Sequence, residues 1–328
     1  MCIIRSSSAS EAESDLLSRW EPLGPLLLRD TDLQLAPEGW GPVFPLSTTG
    51  GGFDLLVSAR DASLRQHIVR CHTRLGAPPL GDHDVELALA LGDPGGFDAD
   101  GVGAPWVATL DGKRILLYVG RKNLAGPVPF QTQLGIASLS QEGFVVARSK
   151  TPLLPLTKNE PIGNASCCVF PSPSGPQLIY TSFLRWEDEG EQSRHYYTLR
   201  KVKWADRELP SPREVVIPLG VGEYAVTAPS LLDLGDTQLL TFTARGPSYQ
   251  IFLAASSATG VFHRLNGAIQ LPRTDLDSEM QCYPRFVEWN SEVLLLYSGN
   301  RFGRDALLAA RWNGEDLAKT IKGFLENF

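Results

Sequence analysis

The chain has 328 residues, with 37 acidic and 30 basic side chains and a formal net charge of −7. This balance argues against a general nucleic-acid binder and against a membrane-surface protein, because both present an excess of basic charge. No stretch approaches the roughly 18 apolar residues of a membrane-spanning helix. Hydrophobic residues make up 43% of the chain, as in an ordinary globular protein with a large core.

The cysteines and the first residues indicate a reducing compartment. The five cysteines are odd in number, include one adjacent pair and show no Cys-x-x-Cys spacing: Cys2, Cys71, Cys167, Cys168 and Cys282. Neither a disulfide framework nor a zinc site is therefore expected. Residues 1–8 lack the apolar core of a secretory signal, so we expect a cytoplasmic protein.

A lead-in precedes a series of short apolar strands. Residues 1–19 are expected to form a loose or short helical lead-in, and residues 20–29 a strand that helps to close the fold. Five units follow, each with runs of β-branched, aromatic and leucine residues bounded by Gly, Asp or Asn. We place these units at residues 38–90, 97–150, 158–215, 222–270 and 277–312.

Prolines give the period of the repeat. Four of the five units open on a proline, and successive prolines are 63, 124 and 55 residues apart: Pro42, Pro105, Pro229 and Pro284. The spacing of 124 residues spans two units. A long repeat built of strands, with no helical period between them, is typical of a propeller. The sequence therefore predicts an all-β chain with a five-bladed β-propeller at residues 20–312.

The last segment, residues 313–328, has the periodicity of a helix. Leu317, Ile321 and Leu325 recur every four residues and predict a helix over residues 316–327. We expect this helix to dock on the outside of the propeller.

Arginines recur after the second strand of each unit. If the first and second strands are antiparallel, residues that precede the first strand and residues that follow the second lie at the same end of the blade. The arginines are therefore predicted at equivalent positions around one mouth: Arg60, Arg121, Arg185, Arg245 and Arg301. Such a rim suits a phosphate or carboxylate, which arginine binds in bidentate geometry.

Acidic residues precede several of the first strands. They are Asp98, Asp100, Glu160, Glu223 and Glu279. Hydrolysis of a glycosidic bond needs two carboxyl groups, one as an acid and one as a base or nucleophile. Glu279 is the preferred acid, because its neighbours Met280, Cys282 and Tyr283 predict an apolar setting that would raise its pKa and keep it protonated.

Each of these residues also has a plainer interpretation. A single arginine at a strand end is more often a solvated surface residue, and a single acid before a strand is more often a turn former. The five histidines show no metal-ligand spacing, so no metal and no other cofactor is predicted.

Motifs in the first, second, fourth and fifth units resemble bacterial five-bladed propellers that are related to glycoside hydrolase families 43 and 32. They lie at residues 58–61 with 65–68, 97–102, 118–120 with 128–130, 223–230, 244–246, 278–284 and 296–304. Relatives of this kind are often found among genes for surface polysaccharides, sugar nucleotides or specialised metabolites. The resemblance implies the propeller fold and an activity on carbohydrates.

The pattern and the resemblance together define a candidate site. Its predicted catalytic carboxylates are Asp100, Glu223 and Glu279. Its predicted substrate-binding residues are Arg60, Asp61, Arg65, His67, Arg121, Arg185, Arg245, Tyr283, Arg301 and Arg304.

The chain also departs from those hydrolases. Residues 38–42 hold no aspartate at the start of the first strand, where Glu38 is the nearest carboxylate. Asn164 stands in the third unit where an acid is expected, and Ala228 replaces an arginine of the fourth. The standard catalytic triad of the hydrolases therefore cannot be transferred whole.

Three functions remain open at this stage. The favoured one is a glycosidase-like enzyme that cleaves or transfers a glycosyl group on a small anionic substrate, such as a nucleotide sugar, sugar phosphate or acidic sugar. The second is a biosynthetic propeller that catalyses an elimination, rearrangement or condensation. The third is a propeller that binds a sugar or a protein without catalysis. We expect a single chain that binds neither nucleic acid nor membranes.

Overall fold

The fold is rich in short antiparallel strands. A computed structural model describes residues 7–48, 52–126, 128–189, 192–208, 213–257 and 260–328. Within those residues the α-helices are Ser7–Ser18 (α1), Asn300–Gly303 (α2, a single turn) and Leu317–Leu325 (α3). Two 3₁₀ turns lie at Asp82–Asp84 and Trp204–Asp206. The prediction of a mostly β chain is confirmed.

Twenty strands are present in the described ranges. They are Trp20–Leu28 (β1), Trp40–Ser47 (β2), Phe53–Arg60 (β3), Gln66–Thr73 (β4), Val85–Leu89 (β5), Gly101–Leu110 (β6), Lys113–Asn123 (β7), Phe130–Leu139 (β8), Val145–Arg148 (β9), Gly163–Phe170 (β10), Gln177–Glu189 (β11), Gln192–Lys203 (β12), Glu214–Ile217 (β13), Ala225–Asp233 (β14), Thr237–Arg245 (β15), Tyr249–Ser257 (β16), His263–Ala268 (β17), Cys282–Trp289 (β18), Glu292–Ser298 (β19) and Ala306–Trp312 (β20).

Hydrogen-bond pairing sorts these strands into five antiparallel groups of four. Groups 1 to 4 are β2–β5, β6–β9, β10–β13 and β14–β17, each in chain order. Group 5 is β18, β19 and β20 with β1 as its fourth strand, so that Trp20 lies opposite Trp312. A single parallel bridge between Tyr197 and Ala225 joins groups 3 and 4. The segment predicted at residues 20–29 is thus a strand of the last group.

The core lies between neighbouring groups. The first strands contact one another in order, β2 with β6, β6 with β10, β10 with β14, β14 with β18, and β18 with β2. Apolar side chains of group 5, such as Leu294 and Leu307, pack against Val57 and Val69 of group 1. Each sheet therefore buries its apolar face against the next one, which is how stacked sheets exclude water.

The first strands bulge at the residue that precedes the proline. Ala104, Ala228 and Tyr283 have φ angles of 49°, 54° and 53°, and the strand register shifts at each of them. This left-handed conformation is unfavourable for side chains other than glycine, and it persists only where the surroundings stabilise it. The Thr243 hydroxyl accepts a hydrogen bond from the Tyr283 N–H at 2.8 Å. The Ser58 hydroxyl accepts one from the Ala104 N–H, also at 2.8 Å. Hydroxyls of one group thus hold the bulges of the next.

The terminal helix packs beside α1 against β15 and β16 of group 4. Asp316 caps its first turn by accepting a hydrogen bond from the Lys319 N–H. Leu317, Ile321 and Phe324 are its buried residues, whereas Leu325 is only partly buried.

Candidate functional site

Most acidic side chains that precede the first strands bond to side chains of their own sheet. Asp98, Glu160 and Asp277 each accept a hydrogen bond from a tyrosine 20 residues further on, in the second strand of the same group. In group 3 the oxygen-to-oxygen distance from the Tyr180 hydroxyl to Glu160 is 2.6 Å. We call these acid–tyrosine pairs the latches, because each ties the entry of a first strand to its neighbour.

An arginine completes the latch in groups 2 and 3. Arg213 donates to Glu160 at 2.8 Å, and both side chains are almost fully buried. Arg148 lies 3.4 Å from Asp98 in group 2. Burial and the adjacent carboxylate raise the pKa of Tyr180 well above its ordinary value, so the phenol remains a hydrogen-bond donor.

Group 4 has a phenylalanine where the latches have a tyrosine. Phe242 replaces the tyrosine, and the Arg264 guanidinium lies over its ring while forming a two-pronged ion pair with Glu223. The Gly220 N–H donates to the same carboxylate at 2.8 Å. The structure therefore pairs the carboxylate of the predicted catalytic residue Glu223 with Arg264 of the outer strand β17.

Asp100 and Glu279 are the two predicted catalytic acids that lie outside the latches. Each follows a latch acid by two residues, Asp98 in group 2 and Asp277 in group 5. Asp100 accepts a hydrogen bond from the Asn123 N–H at 2.8 Å. Glu279 is exposed, so the apolar setting that its neighbours predicted is wrong.

The predicted equivalence of the five arginines is also wrong, because the strand register separates them. Arg121 pairs with Gly101 and Arg245 with Ala225, at the first residue of β6 and of β14. The corresponding partner of Gly163 in β10 is Phe183, not Arg185. Only Arg121 and Arg245 lie opposite the first residue of their first strand. Arg60, Arg185 and Arg301 stand one, two and three residues beyond that position.

On the group 1 side of the rim, the predicted binding residues already have hydrogen-bond partners within the protein. The buried Arg60 donates to the backbone carbonyls of Trp40 and Phe302. Asp61 accepts from Arg65 at 3.0 Å and lies 3.2 Å from His67 Nε2. Burial acts to raise the pKa of Asp61, but these hydrogen bonds outweigh it and lower that pKa.

Three other predicted arginines are held by carboxylates. Arg301 pairs with Asp305, and Arg304 pairs with Glu38, which also binds Arg29 at 3.0 Å. The exposed Arg185 pairs with Glu187, while its guanidinium lies 3.8 Å from the centre of the Tyr196 ring. These guanidinium groups already have counter-charges in the free protein.

A continuous set of aromatic side chains crosses groups 2 to 5 at the end of the strands where Arg121 and Arg245 lie. We call it the aromatic belt: Phe130, Phe183, Trp186, His195, Tyr197, Tyr249, Tyr283 and Phe302. Neighbouring rings are centred 4.4–6.3 Å apart in two sets, one across groups 2 and 3 and one across groups 4 and 5. The Tyr197 and Tyr249 hydroxyls act on each other's pKa and link the two halves.

Two arginines lie on this belt without a carboxylate partner among the described residues. Arg121 lies 4.2 Å from the centre of the Phe130 ring, and Arg245 lies 4.7 Å from the Tyr249 ring. Arg245 also donates to the Tyr249 hydroxyl at 2.8 Å, and Arg121 to the Asn123 amide oxygen at 3.1 Å. Their positive charges are held in place by rings and neutral oxygens, so they can accept an anion without losing an ion pair.

His195 lies among the rings of the belt. Its ring centre is 4.4 Å from that of Trp186 and 5.3 Å from that of Tyr197. Burial, with a smaller effect from the Arg245 charge, lowers the pKa of His195 to about 4. The imidazole is therefore neutral at physiological pH, and its buried Nδ1 has no partner in the described part of the chain.

Below the belt, the first strands of all five groups line one small cavity of about 10 Å³. Its lining residues are Pro42, Val43, Ala104, Ser166, Cys167, Ala228, Pro229, Tyr283, Pro284 and Arg285. None of them is a carboxylate. Across the described ranges, no three histidine, cysteine or acidic side chains are grouped as a metal ion would need.

Sequence reasoning missed most of the belt. Tyr283 was the only one of its residues among the predicted binding residues, whereas Trp186, His195 and Phe302 were passed over. Alternate residues of β12 carry a signal, since His195 and Tyr197 occupy one face of that strand next to a paired Trp186. The contact between Tyr197 and Tyr249 joins two groups, and no spacing in the sequence indicates it.

Two proteins of Mycobacterium tuberculosis, from strains CDC 1551 / Oshkosh and ATCC 25618 / H37Rv, are similar to this chain in sequence. Both are described as uncharacterized, and each is 26% identical over 290 residues, covering 87% of this chain and 96% of the relative. A scan of protein-family models finds no match.

Solved structures of carbohydrate enzymes resemble the fold. A protein titled as a glycoside hydrolase superposes with a TM-score of 0.69 at 12% identity, covering 94% of this chain and 96% of its own. An α-L-arabinofuranosidase from Lactobacillus brevis gives 0.59 at 10% identity, over 87% and 92% of the two chains. A thermostable family-43 glycoside hydrolase gives 0.58 at 18% identity, over 85% and 91%. The chain therefore has the β-rich fold of family-43-like glycoside hydrolases.

No helix in the described residues is both long enough and apolar enough to span a bilayer.

Proposed function

We propose that the five groups are the blades of a five-bladed propeller, and that the aromatic belt binds a small anionic, sugar-like ligand. One observation carries the binding proposal: Arg121 and Arg245 share a register position, lie on aromatic rings and have no ion pair in the described chain. The cyclic order of contacts between first strands supports the propeller arrangement.

The chemistry of the belt suits such a ligand. A guanidinium group that lies on a ring keeps its planar fork of N–H donors fixed, and this fork matches a carboxylate or phosphate. Aromatic faces such as those of Trp186 and Tyr283 offer apolar surfaces beside polar edges, as is usual in small-molecule sites. The neutral His195 adds no competing charge.

The distribution of carboxylates favours recognition over hydrolysis by groups in the channel. The cavity between the first strands has no acidic lining, and Glu223 is engaged by Arg264. Two-carboxylate hydrolysis needs both groups within about 5–10 Å of each other across the scissile bond.

A second candidate function is glycosyl cleavage or transfer with Asp100 and Glu279 as the carboxylates. It is favoured by their matching placement, two residues beyond a latch acid in groups 2 and 5. Each also acts electrostatically on a rim arginine, Asp100 on Arg121 and Glu279 on Arg301.

The binding proposal is tested by calorimetry with nucleotide sugars, sugar phosphates, acidic sugars and neutral oligosaccharides. We expect only anionic compounds to bind, and Arg245→Ala to weaken them about 10–100-fold, because a hydrogen bond to a charged group contributes about 1.5–3 kcal/mol. Arg19→Ala is the matched control, since Arg19 is exposed and paired with Asp15 on α1. Equal losses in both variants, or binding of neutral sugars alone, would contradict the proposal.

The catalytic candidate is tested on whichever compound binds. Product release from the bound compound is followed by chromatography for the wild type, Asp100→Asn and Glu279→Gln. Positioned acid–base catalysis contributes about 10²–10⁴-fold, so a rate loss of that size with unchanged affinity is expected if either acid is catalytic. Turnover that persists in both variants would exclude this pair, while binding without turnover would leave recognition as the function.

A further inference from the structure

Arg285 of β18 lies at the centre of the molecule, where the first strands meet. It is 8% exposed and lines the small cavity. Its Nε donates to the Val43 carbonyl at 3.1 Å and its Nη2 approaches the Pro105 carbonyl at 3.4 Å. The guanidinium also lies 4.1 Å from the centre of the Trp106 ring. One side chain of group 5 thus reaches groups 1 and 2.

The positive charge of Arg285 has no counter-charge in the described chain. No ion pair includes it, and the cavity has no acidic lining residue. Cys167 and Cys168 are the nearest titratable groups, but burial raises the pKa of both thiols, to about 12 for Cys168, so they stay neutral. Burial lowers the pKa of Arg285 to about 10, which still leaves it charged at physiological pH.

One donor of this group is also unused. Nη1 is buried and has no hydrogen-bond partner in the described residues. A buried charged donor without a partner is costly, and such groups are normally paired with an opposite charge or with ordered solvent. Arg60 offers a contrast, because it is equally buried but both of its terminal nitrogens donate to backbone carbonyls.

We propose that the cavity beside Arg285 binds a single monatomic anion, chloride in the cell, which accepts a hydrogen bond from Nη1 and balances the guanidinium charge. The cavity of about 10 Å³ has room for a single small particle, so polyatomic anions such as phosphate and sulfate are too large for it. The guanidinium also repels metal cations from the channel. This site lies below the belt and is independent of the ligand proposed there.

Crystals of the wild-type protein grown in sodium bromide test the site directly. We expect one anomalous bromide peak within hydrogen-bonding distance of Arg285 Nη1, and none in crystals grown in sodium gluconate. Electron density that fits a water molecule, with no anomalous signal in the bromide crystals, would overturn the proposal. Bromide that binds only at surface arginines would do the same.

Thermal unfolding supplies a second test in solution. At constant ionic strength, replacing gluconate by chloride should raise the midpoint of the wild type with a saturable dependence on concentration, since a ligand that binds only the folded state stabilises it. Arg285→Met removes the charge at similar volume and should abolish the halide dependence, whereas Arg60→Met should keep it. If Arg285→Met does not fold, the bromide crystals of the wild type still decide. A halide effect of the same size in Arg285→Met would refute the site.

Discussion

The latches and the aromatic belt lie near the same ends of the strands, yet their charged side chains have different kinds of partner. In the latches every carboxylate meets a tyrosine or an arginine, and in group 3 both charged side chains are almost fully buried. In the belt, Arg121 and Arg245 meet rings and neutral oxygens, and no carboxylate in the described chain pairs with them. Carboxylates with tyrosine or arginine partners are therefore the structural charges, and arginines without an ion pair are the charges that are available to a ligand.

This contrast assigns different consequences to substitutions in the two regions. Latch variants should lose stability and keep their affinity for ligand, whereas belt variants should lose affinity and keep stability.

Breaking the group 3 latch should be the most damaging change. Arg213→Ala removes the closer of the two arginines that pair with the buried Glu160 and leaves only Arg200 at 3.9 Å, which should cost about 3–5 kcal/mol of unfolding free energy. Urea denaturation measures this, with Lys150→Ala as the control, because the pair of Lys150 with Asp93 is exposed and contributes at most about 1 kcal/mol. Similar midpoints for both variants would show that the latch is not a stabilising feature.

Removing one hydroxyl should have an intermediate effect. Tyr180→Phe deletes the donor to Glu160 and should cost about 1.5–3 kcal/mol, because the bond is made to a charged acceptor. Phe242→Tyr is the reverse change in group 4, where the ring lies beneath Arg264, and it should cost less than Tyr180→Phe. Equal losses of unfolding free energy in the two variants would mean that ring packing, and not the hydroxyl, accounts for the stability that the latch contributes.

In the belt, Arg245→Lys should weaken ligand binding about tenfold, or about 1.4 kcal/mol. Lysine keeps the charge but lacks the planar fork that lies on Tyr224 and Tyr249. The unfolding free energy should change by less than about 0.5 kcal/mol, as for most surface substitutions. Undiminished affinity in the lysine variant would show that charge alone recruits the ligand.

His195 should make stability depend weakly on pH. Its folded-state pKa is about 4, below the ordinary value of 6.5, so the unfolded chain binds the proton more tightly. Its contribution is therefore complete above pH 6.5 and is lost as the pH falls from 6.5 towards 4. A plot of unfolding free energy against pH should be flatter for His195→Gln than for wild type in this window. The plot for His83→Gln should match wild type, because His83 is largely exposed. Parallel curves for wild type and His195→Gln would contradict this.

The repeat was readable in the sequence because it rests on backbone chemistry. Pro42, Pro105, Pro229 and Pro284 all fall within first strands, β2, β6, β14 and β18. The latches were equally visible, since an acid is followed by a tyrosine at a spacing of 20 residues in three units. From the sequence, Asp98 and Glu160 were named only as acids that precede first strands, and other acids were chosen as catalytic candidates.

The site was harder to foresee, for two physical reasons. A bulge in each first strand changes which side chain faces the mouth, so arginines that look equivalent in the sequence, such as Arg60 and Arg121, point to different surroundings. The belt also depends on contacts between groups that are distant in the chain. Tyr249 and Phe302, for example, pack edge to face across groups 4 and 5.

The pairing of β1 with β20 has a consequence for how the protein is made. Trp20 and Trp312 come from opposite ends of the described chain, so the last sheet cannot be completed until nearly all the residues have left the ribosome. Until then, the unpaired edges of β1 and β19 are exposed to other chains. Long-range pairing of this kind slows folding, and the newly made protein should depend on chaperones more than its finished form suggests.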